Sequence, residues 1–349
     1  HGTFDLDNSR NQVVNSEKNK YVLSKLIDLI AQTALIISEE EVNWKPLKLL
    51  TCLDNSNTIL EELEFFDLIK KKCKTLKIFP CVDNSYRKLD DIVFVSNTFS
   101  KFVLKTHNTE IFPNLLKPFD EEDIDTEQYE PFLVLDQKEL KEKINHLSKR
   151  LTTVDHRVEL IYLVKQFSEK QGDLNYELLT NEEGVIISEN NDVYTPKSFD
   201  KNDILIPSFV NIDFICIELY NKLISKYDLA GRDIARRLQR KLKSIVKIQS
   251  YEPAPVLSKI VTATNRIIEK DPQNQLSYLK QMLKSLLGNY MVIDDNTKIP
   301  ENTKVQLLSK DYQLVDSKNL YLSDDYPSGE LTEKLFEGIY SDNNFIASP

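Results

Sequence analysis

The sequence predicts a helix-rich α+β fold that contains several small β-sheets or hairpins and more than one subdomain. Long segments carry apolar residues at three- and four-residue spacings, a pattern typical of amphipathic helices. Three shorter segments carry apolar residues, a polar turn and a tyrosine, a pattern typical of strand–turn units. At 349 residues, the chain also exceeds the length of one typical domain.

The N-terminal region is predicted to form a short strand and then a long helix. Within residues 1–6, Phe4 and Leu6 alternate with other residues, as on one face of a strand. Residues 7–9 then offer side chains that commonly cap the start of a helix. The helix is predicted from Lys18 to Ile37, with an apolar face made of Tyr21, Leu23, Leu26, Ile27, Ile30, Ala34 and Ile37.

Helices and strand–turn units are predicted to follow one another along the rest of the chain. The strand–turn units lie at 78–95, 184–199 and 305–322, with turns placed at 82–86, 189–194 and 309–312. Their sequences match too loosely to predict a solenoid. The helices are predicted at 57–74, 138–150, 157–170, 213–227, 230–248, 255–270 and 275–286.

An acidic segment between two prolines suggests how the chain is subdivided. Residues 118–131 read PFDEEDIDTEQYEP, which is typical of a linker or a surface loop. We therefore predict one subdomain at 1–117, the linker or loop at 118–131, a helical and hairpin subdomain at 132–250, and a C-terminal helical and hairpin subdomain at 251–349.

Composition excludes several classes of protein. Hydrophobic residues make up 41% of the chain, which excludes a wholly disordered polypeptide. The 45 basic and 55 acidic residues give a net charge of −10, which argues against a general coat for nucleic acid or anionic membranes. No apolar run approaches the roughly 18 residues of a membrane span. The four cysteines lack CxxC spacing and the four histidines lack HExxH spacing, so we expect neither a disulfide framework nor a zinc site, and a cytoplasmic location.

Catalytic motifs are missing from the sequence. It contains only 7 glycines and neither GxGxxG nor GxxxxGK[ST], so this chain by itself is expected neither to bind ATP nor to be an enzyme. The four cysteines are expected to be small buried hydrophobic residues. Because the chain begins with His-Gly-Thr rather than Met, we interpret it as a fragment of a longer polypeptide.

A basic stripe is the first candidate binding surface. On a helix over 230–248, one face would carry Arg232, Arg236, Arg240, Lys243 and Lys247. Such a stripe could contact phosphates of nucleic acid or an acidic protein surface. The alternative is a solvated face that lies opposite the apolar residues Ile234, Leu238, Leu242 and Ile245. Against a net charge of −10, nucleic acid is possible as a partner but is not favoured.

Arg10 is the second candidate. It follows the short strand and precedes the long helix, where backbone N–H groups and the helix dipole favour an anion. An arginine there can offer a terminal phosphate a planar fork of donors. The alternative is a cap or an ordinary surface arginine.

The residues around Arg10 resemble a known family. The segment HGTFDLDNSRN at 1–11 resembles the segment of sacsin-type proteins that follows a GHKL-type ATPase domain. The residues LKIFPCVD at 76–83 and YLSDDYPSG at 321–329 are similar to later segments of that family, although Asn84 stands where many members have Gly. The segment LDNSR at 6–10, followed by a long helix, is also similar to the middle domain of the ninety-kilodalton heat-shock chaperone.

This resemblance implies a function. Arg10 would be the counterpart of the arginine that reaches the γ-phosphate of ATP, and 1–117 would include a remnant of the middle or transducer-like domain. ATP and Mg²⁺ would be bound by an upstream ATPase domain of the same chain in the parent protein. The region would be a transducer or scaffold, with a protein client or a role in antiviral defence in a bacterium. The alternative is a non-enzymatic nucleic-acid- or protein-binding scaffold that uses the stripe over 232–247.

Overall fold

A computed structural model of the chain confirms the helix-rich α+β fold. The described residues contain eleven α-helices, two two-stranded sheets and one three-stranded sheet. The structure describes residues 4–8, 13–51, 58–119, 136–168, 175–196, 206–231, 233–290, 303–326, 329, 335, 339 and 341–347.

The chain divides into two compact units. The first comprises residues 1–178 with 244–246, and the second comprises residues 179–243 with 247–349. The four-part subdivision made from the sequence stays a prediction. Most of its acidic segment, 120–131, lies outside the described residues, but Pro118 and Phe119 are part of the first unit. There the Trp44 indole N–H donates to the carbonyl of Pro118 at 3.0 Å, and Phe119 is buried.

The first unit is mainly helical. Its helices α1 and α4 pack together over a core that contains Leu23, Ile27, Phe65 and Ile69. Its elements are α1 (Glu17–Ile37), α2 (Lys45–Thr51), α3 (Thr58–Glu62), α4 (Phe65–Thr75), β1 (Phe79–Pro80), β2 (Tyr86–Arg87), α5 (Asn97–Lys105), α6 (Gln137–Arg150) and α7 (Val154–Ser168).

The long N-terminal helix is present, but its buried face is narrower than predicted. Tyr21 and Leu26 are exposed, whereas Asn19, Leu23 and Ile27 are buried. These three lie at four-residue spacing, so they form one row on α1. The apolar stripe is centred on this row: of the other predicted positions, Ala34 is buried and Ile30 packs against the core, whereas Tyr21 and Leu26 face solvent.

The helix predicted at 57–74 is broken in two. Glu64 has a φ of 58°, in the left-handed region, and its N–H donates to the carbonyl of Glu61 at 2.9 Å. This tight turn ends α3 and starts α4. It buries both Leu63 and Phe65, which a continuous helix would place on different faces.

Arg157 lies in the first turn of α7 and is almost fully buried. Its guanidinium donates to the Ser148 hydroxyl at 2.8 Å and to the carbonyls of Ser148 and Leu151 at 3.1 Å. Burial lowers the pKa of Arg157 to about 10. These carbonyls lie at the C-terminal end of α6, where the helix dipole favours a cation.

The second unit combines a parallel sheet with helices. The strand order is β4-β3-β5, and Val193 pairs with Asp213 on one side and Ile248 on the other. Helices α10 and α11 pack against each other. The elements are β3 (Asp192–Tyr194), β4 (Ile212–Phe214), α8 (Ile217–Lys226), α9 (Ile234–Leu242), β5 (Ile248–Gln249), α10 (Pro253–Lys270), α11 (Gln275–Tyr290), β6 (Gln306–Leu308) and β7 (Leu314–Asp316).

Three segments of the chain share one pattern of backbone hydrogen bonds. Each begins with a tight antiparallel turn that contains a residue with positive φ: Asn84 (61°), Gly184 (75°) or Tyr312 (61°). In each turn, the N–H of this residue donates to the carbonyl of the residue three positions earlier. The N–H of that earlier residue donates to the carbonyl of the residue that follows the one with positive φ. The bonds are Asn84 to Cys81 and Cys81 to Ser85, Gly184 to Asn181 and Asn181 to Val185, and Tyr312 to Ser309 and Ser309 to Gln313, all 2.8–3.0 Å.

The pattern continues beyond the turn. A residue that follows each hairpin pairs in parallel with a segment farther along the chain, in the pairs Val93–Leu115, Asp192–Ile212 and Tyr321–Phe345. Its N–H donates to an asparagine carbonyl each time, that of Asn114, Asn211 or Asn344. The returning segment then bonds the first arm of the hairpin, from Lys117 to Pro80, Cys216 to Thr180 and Ala347 to Leu308. We call these three segments, 79–117, 179–216 and 307–347, the first, second and third hairpin modules.

The modules correct one feature of the sequence prediction. The first and third predicted turns are hairpins, β1–β2 and β6–β7. The second turn was predicted at 189–194, but the hairpin turn lies at Asn181–Gly184, and Asp192–Tyr194 forms the parallel strand β3. The helix predicted at 213–227 begins only at Ile217, because residues 212–214 belong to the sheet.

Candidate functional site

Arg10 lies outside the described residues, but the chain on both sides of it is held in place. Leu6 pairs with Val13 in an antiparallel bridge, and the Val14 N–H donates to the carbonyl of Asp5 at 3.1 Å. The residues that precede and follow the segment with Arg10 are therefore neighbours in space.

Asn19 ties both ends of this segment to helix α1. Its side-chain amide donates to the carbonyls of Asp5 at 2.8 Å and Val14 at 2.7 Å, and its carbonyl oxygen accepts from the Asp5 N–H at 2.8 Å. The Asp5 carboxylate also accepts from the ammonium group of Lys18 at 2.8 Å and the hydroxyl of Ser16 at 3.0 Å. The hydrogen bond from Lys18 lowers the pKa of Asp5. Sequence reasoning missed Asn19, although a polar residue in line with Leu23 and Ile27 was visible.

The basic stripe is shorter than predicted. Helix α9 ends at Leu242, because the chain then turns to bury Ile245 and Val246 and enters strand β5. Arg236 and Arg240 lie one turn apart on α9 and are exposed. Lys243 is the C-cap of the helix, Lys247 lies beyond its end, and Arg232 lies outside the described residues.

Arg236 and Arg240 line a concave surface, which we call the α9 recess. Its volume is about 400 Å³, and Tyr194, Gln249 and Glu252 line it as well. Within the part of the chain that the structure describes, neither arginine forms an ion pair. The recess therefore offers two guanidinium groups beside a tyrosine ring and one carboxylate.

A polar network lies on the sheet beside this recess. The Asp192 carboxylate accepts from the ammonium group of Lys259 at 2.8 Å and from the side-chain amide of Gln249 at 3.0 Å. The Lys259 nitrogen lies 5.1 Å from the centre of the Tyr194 ring. Burial lowers the pKa of Lys259, but its contacts with Asp192 and Tyr194 outweigh burial and raise it.

A second concave surface, the α10 recess, lies on the other side of this network. It has a volume of about 640 Å³ between helix α10 and the ends of strands β3 and β4. Lys259, Arg266 and Lys270 contribute its cations, and Asp192 contributes a carboxylate. Sequence reasoning missed this site, because its walls come from three separate parts of the chain.

The remaining candidates offer little chemistry. Cys73 and Cys81 are buried, as expected, but Cys216 is only partly buried, and Cys52 lies outside the described residues. Burial raises the pKa of the Cys81 thiol to about 12, which keeps it protonated. Among the described residues, no group of His, Cys, Asp and Glu is arranged to hold a metal ion. None of the helices in the described ranges combines the length and apolar character that crossing a membrane requires.

A comparison with protein-family models, with curated proteins and with solved structures finds no match to this chain.

Proposed function

We propose that this chain is a transducer or scaffold region that follows the ATPase domain of a sacsin-like, GHKL-type protein. One observation carries the proposal furthest: the buried amide of Asn19 fixes both ends of the segment that contains Arg10. A phosphate sensor must hold its charge at a defined place, since misplacement sharply reduces stabilisation of the transferring group.

In this proposal the chain contributes Arg10 to a nucleotide held elsewhere in the parent protein. The upstream ATPase domain binds Mg²⁺ and ATP, and the ATP supplies the phosphoryl group to be transferred. The guanidinium of Arg10 offers its planar pair of N–H donors to the terminal phosphate. Helix α1 then links the sensed state to the core around Leu23 and Ile27, because the same helix holds Asn19 and that core.

The output is proposed to be partner binding in the bacterial cytoplasm, either of a chaperone client or of a trigger in antiviral defence. Such coupling requires that the partner contacts differ between the two nucleotide states. The isolated chain is then not an enzyme, and the parent protein is an ATPase.

The test uses the parent protein with its ATPase domain. Arg10→Ala is expected to leave ATP affinity nearly unchanged and to lower the hydrolysis rate by about tenfold to a thousandfold. The change removes the positive charge that would stabilise the transferring phosphoryl group. Arg10→Lys is expected to restore only part of the rate, since an ammonium cannot reproduce the planar fork. Arg237→Ala is the matched control, as Arg237 is an exposed arginine that donates to the carbonyl of Ala230. Wild-type hydrolysis in Arg10→Ala would refute the sensor role.

A second candidate is a non-enzymatic scaffold for nucleic acid or protein. The α9 recess favours it, because Arg236 and Arg240 face one concave surface without an ion pair among the described residues. Arg236→Glu with Arg240→Glu would then abolish binding to single-stranded nucleic acid, and wild-type binding would fall steeply with salt. No binding by the wild-type chain at low salt would exclude the nucleic-acid form of this candidate.

A further inference from the structure

One face of helix α10 forms a polar wall of the α10 recess. Ser258, Thr262, Arg266 and Lys270 follow one another at four-residue spacing, so they form a single row on the helix. The row is about 18 Å long at the rise of an α-helix. An extended polypeptide of about five residues spans the same length.

Apolar residues line part of the recess, and we call this part its floor. Val210 and Ile212 come from the β4 side, and Ala263 and Ile267 come from α10. Phe209 also lines the recess, and its ring packs edge-on against Tyr278 at 5.3 Å between centroids. The aromatic ring is therefore held by its neighbour and presents a fixed apolar surface.

The positive charge of the recess lies at one end of this row. The ammonium of Lys259 is already paired with Asp192 at 2.8 Å. Arg266 and Lys270 are exposed and form no ion pair within the described ranges. Among the residues that line the recess, this end carries two cations and no carboxylate.

Only the second of the three hairpin modules has a carboxylate at the position of Asp192. The position of Asp192 in the second module is occupied by Val93 in the first and by Tyr321 in the third. The backbone hydrogen bonds are the same in all three modules, so this backbone arrangement does not require a carboxylate at that position. The pair of Asp192 with Lys259 distinguishes the module that borders the recess.

We propose that the α10 recess binds an extended acidic peptide segment of a partner protein. An apolar side chain of the peptide lies on the floor beside Phe209, and its carboxylates pair with Arg266 and Lys270. Asn190 and Asn211 also line the recess, and their side chains supply both donors and acceptors for a peptide backbone. Phosphate groups offer only acceptors and bring no apolar side chain to the floor, so the peptide is favoured. This proposal does not depend on nucleotide sensing by Arg10.

The test is fluorescence anisotropy with the full chain and labelled short peptides in which one Leu, Phe or Tyr is flanked by Asp and Glu. Binding is expected to weaken about tenfold or more in Arg266→Glu with Lys270→Glu, because attraction becomes repulsion. Thr262→Trp, which fills the recess without changing charge, is expected to weaken binding as well. Replacing the apolar residue of the peptide by Ser, or its acidic residues by Asn and Gln, is expected to do the same.

The matched control is Lys280→Glu with Lys284→Glu on α11. These residues have the same spacing and the same exposure, but they do not line the recess. This variant is expected to bind the peptide like the wild type, and thermal unfolding checks that every variant is folded. Wild-type affinity in both recess variants, or no binding of any such peptide at millimolar concentration, overturns the proposal. Tighter binding of single-stranded DNA that Arg266→Glu with Lys270→Glu abolishes also overturns it, in favour of nucleic acid.

Discussion

The side chain of Asn19 pairs with both backbone polar groups of Asp5, accepting from its N–H and donating to its carbonyl, each at 2.8 Å. This arrangement imitates a strand partner, and it uses an amide that is buried within the first turns of a helix. This side chain therefore adds to the Leu6–Val13 bridge in fixing the N-terminal segment to the helix.

Asn19→Ala is expected to destabilise the first unit. The change removes three hydrogen bonds of a buried amide and leaves the Asp5 N–H and the Val14 carbonyl without this partner, at a cost on the order of 2–4 kcal/mol. Urea unfolding followed by circular dichroism measures the loss. Asn15→Ala is the control, because its amide makes one exposed hydrogen bond to Glu62 at 3.3 Å. Equal losses in the two variants would contradict this account of Asn19.

Arg157→Met is expected to destabilise the packing of α7 against the end of α6. Methionine fills the space but leaves the Leu151 carbonyl without this donor and the Ser148 carbonyl with only the Leu151 N–H, at a cost of about 2–3 kcal/mol. Arg157→Lys is expected to be intermediate, because one ammonium cannot reach all of these oxygens. Thermal unfolding gives the ranking, and a methionine variant as stable as the wild type would contradict it.

Asp83 makes stability depend on pH. Burial raises its pKa, but hydrogen bonds from Ser85 and Arg87 outweigh burial and hold that pKa below the ordinary 3.8. A carboxylate with a lowered pKa in the folded state contributes stability above the unfolded pKa and loses it as pH falls through the folded one. The stability difference between wild type and Asp83→Asn is therefore expected to shrink as the pH falls below the ordinary pKa of 3.8.

The third hairpin module provides the control for this prediction. Asp311 occupies the position of Asp83, but it is exposed and makes no such hydrogen bonds among the described residues. Asp311→Asn is expected to leave the pH dependence unchanged. If Asp83→Asn follows the wild-type curve at every pH, the Asp83–Arg87 contact contributes nothing to folding.

Gly184→Ala is expected to destabilise the second unit by about 1 kcal/mol, because an L-residue is strained at positive φ. The cause is the backbone alone, since a Cβ at this position would meet no atom within 4 Å. Gly184→Asn is expected to cost less, as Asn tolerates this conformation and Asn84 adopts it in the first module. Guanidinium unfolding of the wild type and the two variants tests this order of stability. A loss of stability in Gly184→Asn equal to that in Gly184→Ala would refute it.

Long helices were predictable because their periodicity repeats over many residues. Helix α1 starts at Glu17, one residue before the prediction, and Ser16 caps it. The short strands β4 and β5 were not predictable in the same way. Each has only two or three residues, and both lie inside stretches that also fit a helical pattern, so only pairing with Asp192–Tyr194 decides their structure.

The candidate sites were predictable only in part. Arg236 and Arg240 were visible as a row on one helix. The α10 recess was not visible, because Asn190, Asn211 and Arg266 are brought together by the parallel sheet rather than by sequence spacing. The second turn was misplaced because Asn190-Asn191-Asp192 contains more turn-forming residues than Asn181–Gly184, although Gly184 carried the decisive signal for a positive φ.

The hairpin modules separate a constant frame from a variable insert. In the first module, the interval between the parallel partners Val93 and Leu115 contains helix α5, whereas the corresponding intervals of the second and third modules run over 193–211 and 322–344. The hydrogen bonds that close the frame are the same in each case. The same closing hydrogen bonds therefore hold an interval that supplies buried side chains, such as Phe99 and Phe112, in the first module, and one that supplies the lining of an open recess, with Phe209 and Val210, in the second.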